Sequence, residues 1–191
     1  GAVVAQWDMV TLEEVGLLKM DFLGLRTLTV IRNTCKFIER NYGIKFTKDD
    51  LLKAIDDPTS YILIQKGHTQ GVFQLEGGGA TAIAKEMQPQ NFDEVSALSS
   101  LNRPGPAQYI PTYIERKRDP SKVTYPFECL EDVLKNTYGV IVYQEQVMML
   151  TQILAGYPMS AADELRRAMG KKKKEIIDEH REYFINGREE N

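Results

Sequence analysis

Proline and glycine cut this chain into short pieces, and that punctuation confines it to folds built from brief helices. Arg103-Pro104-Gly105-Pro106 and Asp119-Pro120 each end a run of helical periodicity, and Gly77-Gly78-Gly79 makes a joint before another. A proline inside a helix removes a backbone donor and clashes with the preceding turn, so the helix stops near it. At Asp57-Pro58 the same chemistry starts a helix instead, because a first turn tolerates proline.

Between these stops the spacing predicts helices over residues 48–55, 58–66, 80–87, 92–101, 109–118, 127–135, 144–154, 160–170 and 171–185. Thr47 is placed to cap the first of them. Ser160 and Asp163 have the spacing of a capping-box variant. Earlier in the chain, Leu25, Leu28, Ile31, Cys35 and Ile38 recur every three or four residues, predicting an amphipathic helix that Asn41, Tyr42 and Gly43 close. Leu12 to Phe22 reads as a strand running into a turn at Gly24. Tyr138 to Tyr143 (YGVIVY) is β-branched but too short to assign. The expected class is mainly α, with a small β element at the N-terminal edge.

Composition excludes several classes. The 191 residues are 42% hydrophobic and 27% charged, with a net charge of −3. That is ordinary globular composition, enough to bury roughly 70% of the unfolded surface. The negative balance argues against a protein that coats nucleic acid over its whole surface. Cys35 and Cys129 have no metal-site or disulfide-framework spacing, which points to a reducing cytoplasm. His68 and His180 lie far apart, against a zinc site. No apolar run is long enough for a membrane span, no signal peptide opens the chain, and its first residues read as mid-domain sequence.

Two clusters have chemical potential. In a strand, Lys19 and Asp21 share a face, with Leu18, Met20 and Phe22 on the other. That pair is either a solvated ion pair or a place for a metal and a phosphate. The run LRRAMGKKKK gathers Arg166, Arg167, Lys171, Lys172, Lys173 and Lys174 without an acid between them. If Gly170 ends a helix, the lysines fall in the first turn of the next, where cations are disfavoured. The run is then either a solvated face or a seat for an anion such as a polyphosphate or a nucleic-acid backbone.

Other segments are weaker. GVFQLEGGG lacks the spacing of a phosphate-binding loop, so Gln74 and Glu76 fit a turn as well as a site. Asn102 to Pro106 is a rigid turn in which Arg103 is either structural or placed for recognition. Tyr138, Tyr143, Gln144 and Gln146 suit base stacking or core packing, with core the default. Met148, Met149 and Leu150 read as core.

The ordered blocks KMDFLGLRTLTVI (Lys19 to Ile31), GVFQLE (Gly71 to Glu76), LNRPGP (Leu101 to Pro106), TYGVIVYQEQVM (Thr137 to Met148), LAGY (Leu154 to Tyr157) and ADELRRAMGKKK (Ala162 to Lys173) closely resemble the catalytic α-subunit family of bacterial DNA polymerase III, the C-family DNA polymerases. The resemblance covers nearly the whole chain. It implies a fragment: residues 1–24 as the C-terminal edge of a nucleotidyltransferase-type palm, where the β element belongs, and residues 25–191 as a multi-helical fingers domain. It implies chromosomal replication in the cytoplasm by a nucleotidyltransferase acting through two Mg²⁺ ions.

Asp21 corresponds to the third palm aspartate, a metal ligand, and Lys19 to a lysine near the triphosphate. Arg166 and Arg167 correspond to fingers arginines that approach the incoming nucleotide, and Lys171 belongs to the same nucleotide-binding group. Arg103 and Gln144 are candidate positioning residues. The implied partners are primer-template DNA, deoxynucleoside triphosphates, the rest of the subunit and holoenzyme, and the sliding clamp through regions outside this chain. Because the other palm aspartates are absent, the chain alone is expected to be inert. The competing readings are a stand-alone helical nucleic-acid-binding module and a protein-interaction domain whose lysines only solubilise it.

Overall fold

A computed structural model describes residues 1–186, the side chain of Asp56 aside; the last five positions of the expected fingers domain lie outside the described residues. The described residues form eleven α-helices linked by short 3₁₀ turns. They are α1 (Met9–Glu14), α2 (Arg26–Tyr42), α3 (Lys48–Lys53), α4 (Pro58–Gln65), α5 (Gly78–Met87), α6 (Phe92–Leu101), α7 (Ile110–Arg118), α8 (Glu131–Leu134), α9 (Gln144–Ala155), α10 (Met159–Gly170) and α11 (Lys174–Asn186). The chain divides into two compact units, Gly1–Lys48 and the residues from Asp49 onward.

The first unit holds α1 and α2. Asp8 caps α1, its carboxylate accepting from the amides of Val10 and Thr11. The strand expected over Leu12 to Phe22 is not formed: its first three residues end α1, and no strand occurs among the described residues. A lone strand leaves its backbone donors and acceptors without a neighbouring ladder, so it has no stable form by itself. The amphipathic helix does form, and Gly43, at φ 68°, closes it as a left-handed cap whose amide reaches Glu39 O. Its apolar stripe is not buried, however. Leu25, Leu28 and Ile31 are exposed, Cys35 and Ile38 only half-buried, and Phe22 and Leu23 are about nine-tenths exposed.

The second unit has a true core. Ile64, Leu75, Ala84, Met87, Leu98, Leu101, Tyr113, Ile114 and Val140 pack together from α4 to α7 and the loop after Thr137. Smaller clusters join α9 to α10 (Ala155, Tyr157, Ala161, Ala162, Leu165) and α8 to α9 (Leu130, Leu134, Leu150). Of the expected core methionines, Met148 packs against the second cluster, but Met149 is exposed.

The segment 138–143 is a loop, not a strand. Tyr138 and Gly139 both take left-handed backbone, at φ 53° and 75°. This turn sends the Tyr138 ring edge-on to the buried Tyr113, at 5.1 Å between centroids. The Tyr138 hydroxyl donates to Glu94 Oε1 at 2.6 Å. A Cβ at Gly139 would lie 2.7 Å from Thr124 O and 2.8 Å from Arg116 Nη1. Gly139→Ala combines that overlap with a positive φ, so it should lower stability by about 2–3 kcal/mol. Urea unfolding of the two proteins measures this directly, and a loss below about 0.5 kcal/mol would show the turn to be slack.

Under that core lies a buried ion pair. Lys117 Nζ stands 2.8 Å from Glu94 Oε2, with the side chains 9% and 5% exposed. Lys117 also donates to Met87 O and Gln88 O, at 3.0 and 2.6 Å, and Arg118 Nη2 donates to Glu86 O at 2.8 Å. Glu94 further accepts from the Gln90 amide at 2.6 Å. Much of the basic cluster that ends α7 thus closes the C-terminus of α5, whose last carbonyls have no partner within their own helix.

Candidate functional site

The site begins with a glutamine that holds the start of α9. Gln146 Oε1 accepts from the amides of Val142 and Tyr143, at 2.8 and 2.9 Å. Its Nε2 donates to Thr137 Oγ1 at 2.9 Å and Val133 O at 3.1 Å. The amide is buried with its donors and acceptor all in use, so Gln146 is structural, and it fixes the helix end from which Gln144 projects.

Helix α10 turns back along α9 after Gly156, which takes a left-handed conformation at φ 67°. The capping box expected at Ser160 and Asp163 is absent: α10 starts one residue earlier, and Pro158 occupies the cap without a side-chain bond. Asp163 serves the arginines instead. Its Oδ1 accepts from Arg166 Nε at 2.9 Å and from Nη2 at 2.7 Å, and its Oδ2 lies 3.1 Å from Arg167 Nε. Arg166 Nη1 donates to Gln144 Oε1 at 2.7 Å. Offsets of three and four residues put all three α10 side chains on one helix face.

The structure thus joins Gln144, Arg166 and Arg167, with Asp163 as the member that sequence reasoning passed over. The signal was present, since an acid three and four residues ahead of two arginines is the spacing of a helical ion pair. The hydrogen bonds from Arg166 hold the Asp163 carboxyl below its ordinary value of 3.8. A lowered value in the folded state means that this group stabilises the fold above the unfolded value and ceases to do so as pH falls through the folded one.

The lysine run is arranged differently from expectation. Only Lys174 lies in α11; Lys171 caps the end of α10, its amide bonded to Arg167 O at 3.0 Å, and Lys172 takes left-handed backbone at φ 53°. Cations are favoured at a helix C-terminus and disfavoured at an N-terminus, in keeping with Lys171, Lys172 and Lys173 lying ahead of α11 and Lys174 alone opening it. The Arg167 side chain is 60% exposed against 26% for Arg166. The exposed cationic edge of this site therefore comprises Arg167 and the lysines that follow it.

Residues 27–191 match the family model described as the bacterial DNA polymerase III alpha subunit finger domain. The chain belongs to that family. It is 49% identical over 189 residues to the DNA polymerase III subunit alpha of Aquifex aeolicus (strain VF5), which covers 98% of this chain and 16% of the relative. Against the protein of the same name from Staphylococcus aureus (strain COL) it is 43% identical over 189 residues, covering 99% of this chain and 18% of the relative. The chain therefore spans less than a fifth of the curated relatives it matches.

In this polymerase III finger-domain chain the other candidate residues belong to segments other than α9 and α10. Lys19 and Asp21 belong to the first unit and pair with each other, Lys19 Nζ lying 3.2 Å from Asp21 Oδ1, both well exposed. Arg103 is exposed in the bend after α6, its amide bonded to Leu101 O at 2.8 Å. Among the described residues no group of three His, Cys, Asp or Glu is arranged to hold a metal ion. Asp21 already faces a cation, and a single carboxylate does not make a two-metal centre, so the residues of this chain do not by themselves fit a pair of Mg²⁺ ions. No helix among the described residues is long and apolar enough to cross a membrane.

Proposed function

We propose that this chain is the part of a replicative DNA polymerase that receives the incoming deoxynucleoside triphosphate beside the template-primer. Residues 1–24 form an edge of the palm, and residues 25–191 form the fingers. The observation that carries this reading is the group on α9 and α10: a cationic edge of Arg167 and Lys171 beside Arg166, with the two arginines held by Asp163 and Gln144. Fixed guanidinium groups stabilise phosphate charge at little reorganisation cost, which is what a nucleotidyl-transfer site asks of the domain facing the triphosphate.

Catalysis is a property of the whole subunit. Asp21 contributes one carboxylate to a Mg²⁺ site completed by aspartates outside this chain, and Lys19 lies near the triphosphate. Arg103 has a positioning role. The remainder of the subunit, the holoenzyme and the sliding clamp are the partners, and the cytoplasm is the place of action. The exposed stripe of α2 and the exposed apolar residues around Phe22 support the same reading, because a unit that buries so little of its own apolar surface needs covering.

The test is primer extension by the full-length polymerase with Arg167→Gln or Lys171→Glu. Each removes a cation from the proposed phosphate edge without touching the core. The KM for the deoxynucleoside triphosphate should rise about tenfold or more for Arg167→Gln and severalfold for Lys171→Glu. A domain whose basic run only confers solubility would show unchanged KM in both.

A further inference from the structure

Arg166 and Arg167 are not equivalent, and the difference lies in what Asp163 does to each. Arg166 has all three guanidinium nitrogens engaged, two with Asp163 and one with Gln144. Arg167 makes an ion pair instead, its Nε standing 3.1 Å from Asp163 Oδ2, and its Nη1 and Nη2 have no partner among the described residues. A guanidinium is planar and rigid. With Nε set against the carboxylate, the opposite edge presents two parallel N–H groups, the geometry that matches two oxygens of one phosphate. Asp163 carries one negative charge against two positive ones, so the group keeps a net positive charge and still attracts an anion.

We propose that Asp163 is a positioning residue for nucleotide binding, which holds Arg167 by Nε so that its free Nη edge is preset to grip a phosphate of the incoming triphosphate. This rests on the reading of Arg167 given above. Positioning and simple neutralisation predict opposite signs. If Asp163 merely offset the arginines, removing its charge would strengthen anion binding. Because it orients Arg167, removing it leaves an exposed, flexible side chain that must be ordered by the ligand itself, and binding weakens.

The experiment uses the full-length polymerase in steady-state primer extension, varying one deoxynucleoside triphosphate. Asp163→Asn should raise KM about tenfold, with a smaller change in kcat. In an Arg167→Gln background the same substitution should add less than about twofold, because the group it positions is gone. Arg167→Lys keeps the charge but not the fork, and should raise KM about as much as Asp163→Asn. That exposed variant decides the matter if Asp163→Asn does not fold. The inference is overturned if Asp163→Asn leaves KM unchanged or lowers it, if its effect is undiminished in the Arg167→Gln background, or if Arg167→Lys behaves as wild type. Raised KM in Arg167→Gln with normal KM in Asp163→Asn defeats this inference alone. Normal KM in Arg167→Gln defeats the reading of Arg167 as well.

Discussion

Glu94→Ala should destabilise this chain by about 3–5 kcal/mol, the range for removing one partner of a buried ion pair. The substitution does more than delete a contact. It leaves the Lys117 ammonium charged in a site 9% exposed, and removes the acceptor of the Tyr138 hydroxyl and the Gln90 amide. The remaining partners of Lys117 are carbonyl oxygens of α5, which bear only partial charge. Against a total stability of about 5–15 kcal/mol for a typical domain, the loss is severe. Urea unfolding followed by helical circular dichroism, at constant m-value, gives the number. A double variant, Glu94→Gln with Lys117→Met, removes both charges and should regain more than half of the loss. If Glu94→Ala costs under 1 kcal/mol, the pair is wetter than its surroundings indicate.

The second large effect concerns activity. In the full-length polymerase, Asp21→Asn should reduce primer extension on the order of 10³-fold, because a metal contributes several kcal/mol of transition-state charge stabilisation. Primer-template binding and the thermal midpoint should stay near the parent values. The residue is exposed and pairs only with Lys19, so the fold gives little reason for a structural penalty. Asparagine keeps the shape and one carbonyl acceptor while removing the charge, which separates coordination from packing. Near-normal extension would return Asp21 to the status of a surface ion pair, and the palm-edge assignment would have to be withdrawn with it.

Much of the helical order was legible because its signals are local. Leu25 to Arg40 has the 3.6-residue period and a glycine stop, and α2 follows it within two residues at either end. Asp57-Pro58 announces the start of α4, and the proline falls in its first turn as its chemistry dictates. What failed was non-local or competitive. The strand at Leu12 to Phe22 had the right residues, but a strand is defined by a neighbour, and the sequence of one segment does not supply it. Asp163 fitted two local roles, cap and ion-pair acceptor, and the choice went to the arginines because a proline already held the cap position.

The candidate site divides in the same way. Arg166, Arg167 and Gln144 stand out one by one in the sequence, and it takes the α9–α10 hairpin to place a residue at position 144 against one at position 166. The buried Glu94–Lys117 pair leaves no such mark. Each partner sits in an unremarkable helix, and a sequence separation of 23 residues lies between them. A basic cluster at the end of α7 has the pattern of a surface, and only packing turns Lys117 inward.

That inward lysine has a consequence for modularity. A helix normally carries its stop signal within a few residues of its own end, so it can be moved between proteins together with that signal. Helix α5 carries only part of it: Gln88 supplies a left-handed cap, while the carbonyls of Glu86, Met87 and Gln88 are closed by Arg118 and Lys117, some 30 positions later in the chain. The unit of exchange is therefore the set from α5 through α7, and a recombination breakpoint inside that set separates a helix from its own ending.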